Sequence, residues 1–223
     1  MDSEQETPGS ESLAQAAGKL QLEIPADQLV KLQAYCLALW DWNSKLNLTR
    51  HTDFDTFARR DLLDTVRLAQ HIGNAEEVLD VGTGGGVPGL PLAILRPDLR
   101  ISVCDSVGKK IRAVDDMVQQ LKLPIAVHAS RVQDVLEDLR YDTLVTRAVG
   151  SLSQLCGWLR HDWHNFRRLL AIKGPRWSDE KGEARHRGLL NGIRIRRIDA
   201  YKMPGTESES VILQIEKPRP GAA

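Results

Sequence analysis

The chain has 223 residues, 30 basic and 30 acidic side chains, and no formal net charge. That length suits one domain with a small appendage, and a core of this size needs no disulfide or metal staple. Neutrality argues against a general nucleic-acid coat, no apolar run approaches the ~18 residues of a membrane span, and three cysteines far apart in apolar runs exclude a disulfide framework or a Cys-based metal site.

The polar, acidic start MDSEQETPGSES lacks the apolar core of a secretion signal. Residues 1–18 therefore read as a disordered leader, and the protein is expected in the cytoplasm, as a monomer. Residues 19–75 read as a small helical extension without strands. Asp27 can cap a helix through QLVKLQAYCLALWDWNSKL, in which Leu29, Leu32, Tyr35, Cys36, Leu39 and Trp40 recur at helical spacing. Trp40 and Trp42 read as core residues. A second helix ends at Gly73.

The pattern then changes. EVLDV (77–81), ISVCD (101–105), IAVHA (125–129), DTLVTRAV (142–149) and RLLAIKG (168–174) read as strands, each followed by a helical stretch. IRIRRIDAY and SVILQIEK close the chain as two more strands, with residues 219–223 as a tail. Strand–helix alternation of this kind predicts an α/β fold: a doubly wound, mostly parallel, seven-stranded Rossmann-like sheet over residues 76–218. The last strand follows the turn MPGTESES and is expected to enter antiparallel. Between Arg160 and Lys202 basic residues outnumber acidic ones, which is either a local polyanion patch or ordinary solvated faces.

Five glycines and two prolines interrupt VLDVGTGGGVPGLPLAI, residues 78–94. Strand, glycines, helix is the geometry that brings bare backbone up to a nucleotide-like ligand. Two registers fit. Gly84-x-Gly86-x-x-Gly89 satisfies the dinucleotide pattern of an NAD(P)-dependent oxidoreductase. Asp80-x-Gly82-x-Gly84 satisfies the acidic pattern of S-adenosylmethionine (SAM) enzymes. A carboxylate repels a pyrophosphate and attracts a cofactor bearing sulfonium and ammonium charges, so Asp80 favours SAM. Asp80 and Gly82 would hold its methionine end.

Asp105 ends the second strand, where a carboxylate can accept ribose hydroxyls, or simply cap the helix starting near Gly108. Arg147 ends the fourth strand at the ligand-binding edge; the bland reading is an ion pair with Asp80 or Asp105. Lys173 is the parallel case on the fifth strand. Arg147 and Lys173 are the candidate catalytic residues, orienting a base or countering charge. No Ser or Cys nucleophile pairs with a His. Methylating a ring nitrogen with a free lone pair needs no base, only positioning and charge stabilisation. A third possibility is an RNA-binding module that keeps the fold and has lost catalysis.

WNSKLNLT (42–49), LDVGTGGGVPGLPLAILRP (79–97), DSVGKKIR (105–112), SRVQD (130–134), TRAVGSL (146–152) and AIKG (171–174) stand in an order and spacing that resemble the RsmG (GidB) family. The resemblance runs from about Leu32 to Lys217. It implies methyl transfer from SAM to N7 of a guanine in the decoding-centre loop of bacterial 16S ribosomal RNA, naked or in the small subunit. By position it implies cofactor contacts at Gly82 and Val87, at the adenine-contacting pair Val132 and Gln133, at Asp105 and at Arg147. The family more often has a larger apolar residue at position 87 and Glu at position 133. Lys109, Lys110 and Arg112 fall near the RNA face it implies, with Arg131, Arg176, Arg194, Arg196 and Arg197 as further phosphate contacts. The family's Arg-His before LLD reads Arg60-Asp61 here, a departure in the helical extension.

Overall fold

The computed structural model describes residues 10–218. Its centre is a seven-stranded sheet in the order β3-β2-β1-β4-β5-β7-β6. The strands are β1 (Glu77–Val81), β2 (Arg100–Cys104), β3 (Ala126–His128), β4 (Tyr141–Arg147), β5 (Phe166–Lys173), β6 (Arg194–Lys202) and β7 (Glu209–Glu216). β1 to β5 are parallel, and β7 lies antiparallel between β5 and β6. The antiparallel entry of the last strand is as expected; its insertion inside β6 leaves the arginine-rich β6 on the edge.

Successive strand residues face opposite sides of the sheet, and both sides are buried. Val78, Val103, Val145 and Ile172 face one core, while Leu79, Val81, Leu144 and Ala171 face the other. The first core is covered by α5 (Gly89–Leu95), α6 (Gly108–Leu121) and the N-terminal helices, the second by α7 (Val132–Asp138), α8 (Leu152–Trp158) and α9 (Trp177–His186). Ile111, Val114 and Val118 show the 3.6-residue period that turns one stripe of α6 inward.

The N-terminal helices are α1 (Leu13–Lys19), α2 (Ala26–Asn43), α3 (Phe54–Phe57) and α4 (Leu63–Ala69). Part of the expected leader is thus a helix: Ser12 caps α1, and Leu13 is fully buried. Residues 1–9 of that leader and the tail 219–223 lie outside the described residues. α3 runs into α4 through one wide turn, Ala58–Leu62, with π-helical hydrogen bonding. Such a turn takes one extra residue and re-aims its side chains. Here it turns Asp61 inward, 2 % exposed. Arg67 of α4 makes paired hydrogen bonds to Asp199 of β6 and ties the helices to the far side of the sheet.

Among the described residues no helix is long and apolar enough to cross a membrane.

Candidate functional site

The glycine turn follows β1 directly. The amides of Gly82 and Thr83 both donate to the Cys104 carbonyl, at 2.9 and 3.1 Å, folding the turn across the end of β2. Gly82 has φ +69°, and a Cβ there would lie 2.7 Å from Val149. Only glycine permits that conformation and that approach. Gly84, with φ +60°, is different: a Cβ there would meet no protein atom closer than 3.9 Å, so its bare backbone borders open cavity.

Asp80 sits beneath this turn, completely buried. Its Oδ2 accepts Thr83 Oγ1 at 2.6 Å and the Gly89 amide at 2.9 Å, while Oδ1 has no hydrogen-bond partner among the described residues. Burial pushes its carboxyl up to about 6, with those two bonds opposing. Asp80 is not among the residues lining the cavity. The expectation that it grips the methionine end directly is therefore corrected: Asp80 does not face the cavity and shapes the turn from below.

The cavity above has a volume of about 750 Å³, within the ~300–1,000 Å³ usual for ligand sites. Gly82 to Gly85 form part of its wall, together with Val87. Asp105 lines it from the end of β2, accepting the Gly84 amide through Oδ2 at 3.0 Å and the Val107 amide through Oδ1 at 2.8 Å. Asp105 thus faces the cavity and also organises the entry to α6. Val132 and Gln133 line the cavity from the start of α7. Trp158, at the end of α8, is the one aromatic side chain among the lining residues and is 39 % exposed. The sequence reading missed it, because a tryptophan in an apolar helix reads as core.

Arg147 lines the same cavity with 21 % of its side chain exposed. Its partners are neither Asp80 nor Asp105. Nη1 lies 2.6 Å from Asp61 Oδ1 and 3.2 Å from Asp64 Oδ2. Asp61 Oδ2 is 3.0 Å from His51 Nε2, and the Tyr201 hydroxyl donates to Asp64 Oδ1 at 2.7 Å. Burial works against the Arg147 charge, yet the two carboxylates more than offset it and hold the guanidinium above its ordinary range. For Asp61, burial is outweighed by the His51 hydrogen bond and the Arg147 charge, which hold it below the usual carboxylate range. For Asp64 burial wins and its pKa rises.

Lys173 does not join them. Its Nζ donates to the Gly150 carbonyl at 2.6 Å and pairs with Glu180 at 2.8 Å, and it is not among the cavity-lining residues. Its expected catalytic role is corrected to a tether between the loop after β4 and α9.

The basic candidates divide. Lys110 and Arg131 line the cavity, Lys109 and Arg112 are exposed on α6, and Arg176 is exposed just beyond the ligand-side end of β5. Arg194, Arg196 and Arg197 are not brought to the site. β6 is separated from β1 by β4, β5 and β7, roughly 19 Å at strand spacing. Arg194 and Arg196 turn to Glu216, at 3.4 Å each, near the opposite end of the sheet. Arg50 and Arg60, exposed neighbours of the cavity residues Thr49 and Asp61, were missed; their place beside the WNSKLNLT and ARRDLLD segments was the available signal.

Trp40 packs at 4.9 Å on Phe54, and Trp42 donates to Asp116 at 2.8 Å; neither lines the cavity.

Comparison with solved structures finds methyltransferase folds. An M. capricolum TrmK in complex with S-adenosyl-homocysteine (SAH) aligns with TM-score 0.53 and 16 % identity, covering 70 % of this chain and 68 % of that one. A precorrin-6y C5,15-methyltransferase from Geobacter metallireducens aligns with TM-score 0.51 and 14 % identity, over 77 % and 92 %. These likenesses establish the α/β Rossmann-like fold. In sequence, the chain is 49 % identical over 188 residues to a ribosomal RNA small subunit methyltransferase G of Rhodopirellula baltica, covering 84 % of this chain and 81 % of the relative. It is 34 % identical over 209 residues to a protein of that name from Pseudomonas aeruginosa, covering 93 % and 95 %. The family described as rRNA small subunit methyltransferase G matches residues 28–208. With its motifs assembled around one cavity, this chain belongs to the rRNA small subunit methyltransferase G family.

Proposed function

We propose that this protein transfers a methyl group from SAM to N7 of a guanine in small-subunit ribosomal RNA. The observation that carries the reading is the cavity itself. It joins a glycine turn, a strand-end carboxylate and an apolar–polar pair on α7 to a rim bearing Lys110 and Arg131.

These residues fit an adenosyl cofactor. Asp105, fixed by two backbone amides, keeps lone pairs for ribose hydroxyls. Val132 offers an apolar face and Gln133 a hydrogen-bonding edge to adenine. When bound, SAM supplies an electrophilic methyl group on a sulfonium. The dinucleotide register fits less well, because Asp105 already takes the Gly84 amide that a pyrophosphate would need.

The residues also favour an acceptor that needs no deprotonation. Among the described residues no histidine lines the cavity. The Cys104 thiol is pushed up to about 12 by burial and cannot act as a thiolate at neutral pH. Asp61, held below the usual range, is a weak base. Guanine N7 presents its lone pair without losing a proton. Lys110 and Arg131 would meet phosphates and position the looped strand.

The test is transfer from tritium-labelled SAM to small subunits prepared from cells lacking the endogenous enzyme. Label at a guanine whose strand is cut after borohydride and aniline establishes N7. Label elsewhere in the RNA keeps the enzyme class and overturns the atom.

A further inference from the structure

One guanidinium, Arg147, faces two carboxylates, Asp61 and Asp64, so carboxylates outnumber permanent cations in this largely buried cluster, with the His51 imidazole beside Asp61. Asp61 is the member on the cavity side: it lines the cavity together with Arg147, whereas Asp64 turns its second oxygen to Tyr201. The Asp61–Arg147 contact is short but lies outside hydrogen-bonding alignment, leaving Asp61 Oδ1 as a buried oxygen without a hydrogen bond among the described residues. Its other oxygen is occupied by His51. Lys110, half-buried, and Arg131, exposed, add positive charge at the rim, where solvent screens it more than in the wall. The cluster is set in the low-dielectric wall, where a charge reaches further.

We propose that Asp61 makes this wall of the cavity selective for the sulfonium form of the cofactor over the uncharged thioether left after transfer, with His51 as the positioning residue that holds the carboxylate in place. The inference rests on the methyl-transfer reading. The two ligands differ by one methyl group and one positive charge. A neutral wall would distinguish them by shape alone. A negative wall favours the charged substrate and gives the neutral product no such gain. The π-helical turn at Ala58–Leu62 is what brings this carboxylate to the cavity, and the imidazole facing it comes from His51, ten residues earlier.

The experiment is calorimetric titration of SAM, SAH and sinefungin, a non-reactive analogue carrying an ammonium near the methyl position. Asp61→Asn is expected to weaken SAM and sinefungin about tenfold while changing SAH by less than about twofold. His51→Ala is expected to shift the SAM-to-SAH ratio in the same direction by a smaller factor, and His51→Gln, which retains an N–H donor, to restore most of it. Asp61→His also removes the charge and serves if Asp61→Asn does not fold. Equal weakening of all three ligands would make Asp61 a structural residue and overturn the inference. A wild-type protein that binds neither SAM nor SAH would instead bring down the methyl-transfer reading, and this inference with it.

Discussion

The hydroxyl of Tyr35 donates to the carbonyl of Gly85 at 2.8 Å, and both groups are buried. This one bond joins the second helix of the N-terminal region to the glycine turn that floors the cavity. The helices therefore hold the site together rather than decorate the domain. Tyr35→Phe leaves the Gly85 carbonyl buried and unpaired, which costs about 1–3 kcal/mol. Thermal denaturation should show a lower Tm. SAH titration should show weaker binding, because the turn loses its clamp. An unchanged affinity would mean that the turn holds its shape without the helix.

Asp105 carries a heavier duty than a ribose contact. It ties the Gly84 and Val107 amides, so it fixes the turn and the entry to α6 at once. Asp105→Asn offers one carbonyl oxygen and a donor where two acceptors stood, and the donor faces an amide. The expected result is a loss of SAH affinity of about tenfold or more, with a modest fall in Tm. Calorimetry on the folded variant checks it. Unchanged affinity would remove Asp105 from cofactor binding.

The sheet was legible because its signal is local. Alternating strand and helix patterns, five glycines after EVLDV and strand-end acids and bases all follow from period and position. The partners of Arg147 were not legible. Asp61 and Asp64 lie more than 80 residues earlier and reach it only through a wide helical turn and the docking of the helices on the sheet. Lys173 matched Arg147 in its place at a strand end, and differs because Gly150 and Glu180 capture it. Arg194, Arg196 and Arg197 looked like an RNA patch by charge alone. Only strand order, with β7 slipped inside β6, shows how far from the cavity they stand.

Trp158 brings an indole to the cavity, where every other lining side chain among the described residues is non-aromatic. A flat ring against a flat base contributes about 1–3 kcal/mol on truncation. Trp158→Ala should therefore weaken SAH binding about tenfold, and SAH should quench the fluorescence lost in Trp158→Phe. An unaltered SAH affinity with a raised KM for the ribosomal subunit would assign the indole to the RNA base instead.

Asp80 gives the pH prediction. Burial raises its folded pKa to about 6, above the ordinary aspartate value of about 3.9. An acid with a raised folded pKa favours the folded state when protonated. Its contribution is fully present below about pH 4 and is lost as the pH rises through 6, an unfavourable shift on the order of 2–3 kcal/mol above that point. Asp80→Asn removes the titration. Its amide oxygen can still accept from Thr83 and Gly89, and its NH2 takes the place of the unpaired Oδ1. The variant should therefore be more stable than wild type in urea at pH 8 and indistinguishable near pH 4, while binding the cationic cofactor more weakly. Wild type holds a charge here that folding disfavours. Finding the variant less stable at pH 8 would mean that the carboxylate is better solvated than its burial implies, and that Asp80 is kept for the fold alone.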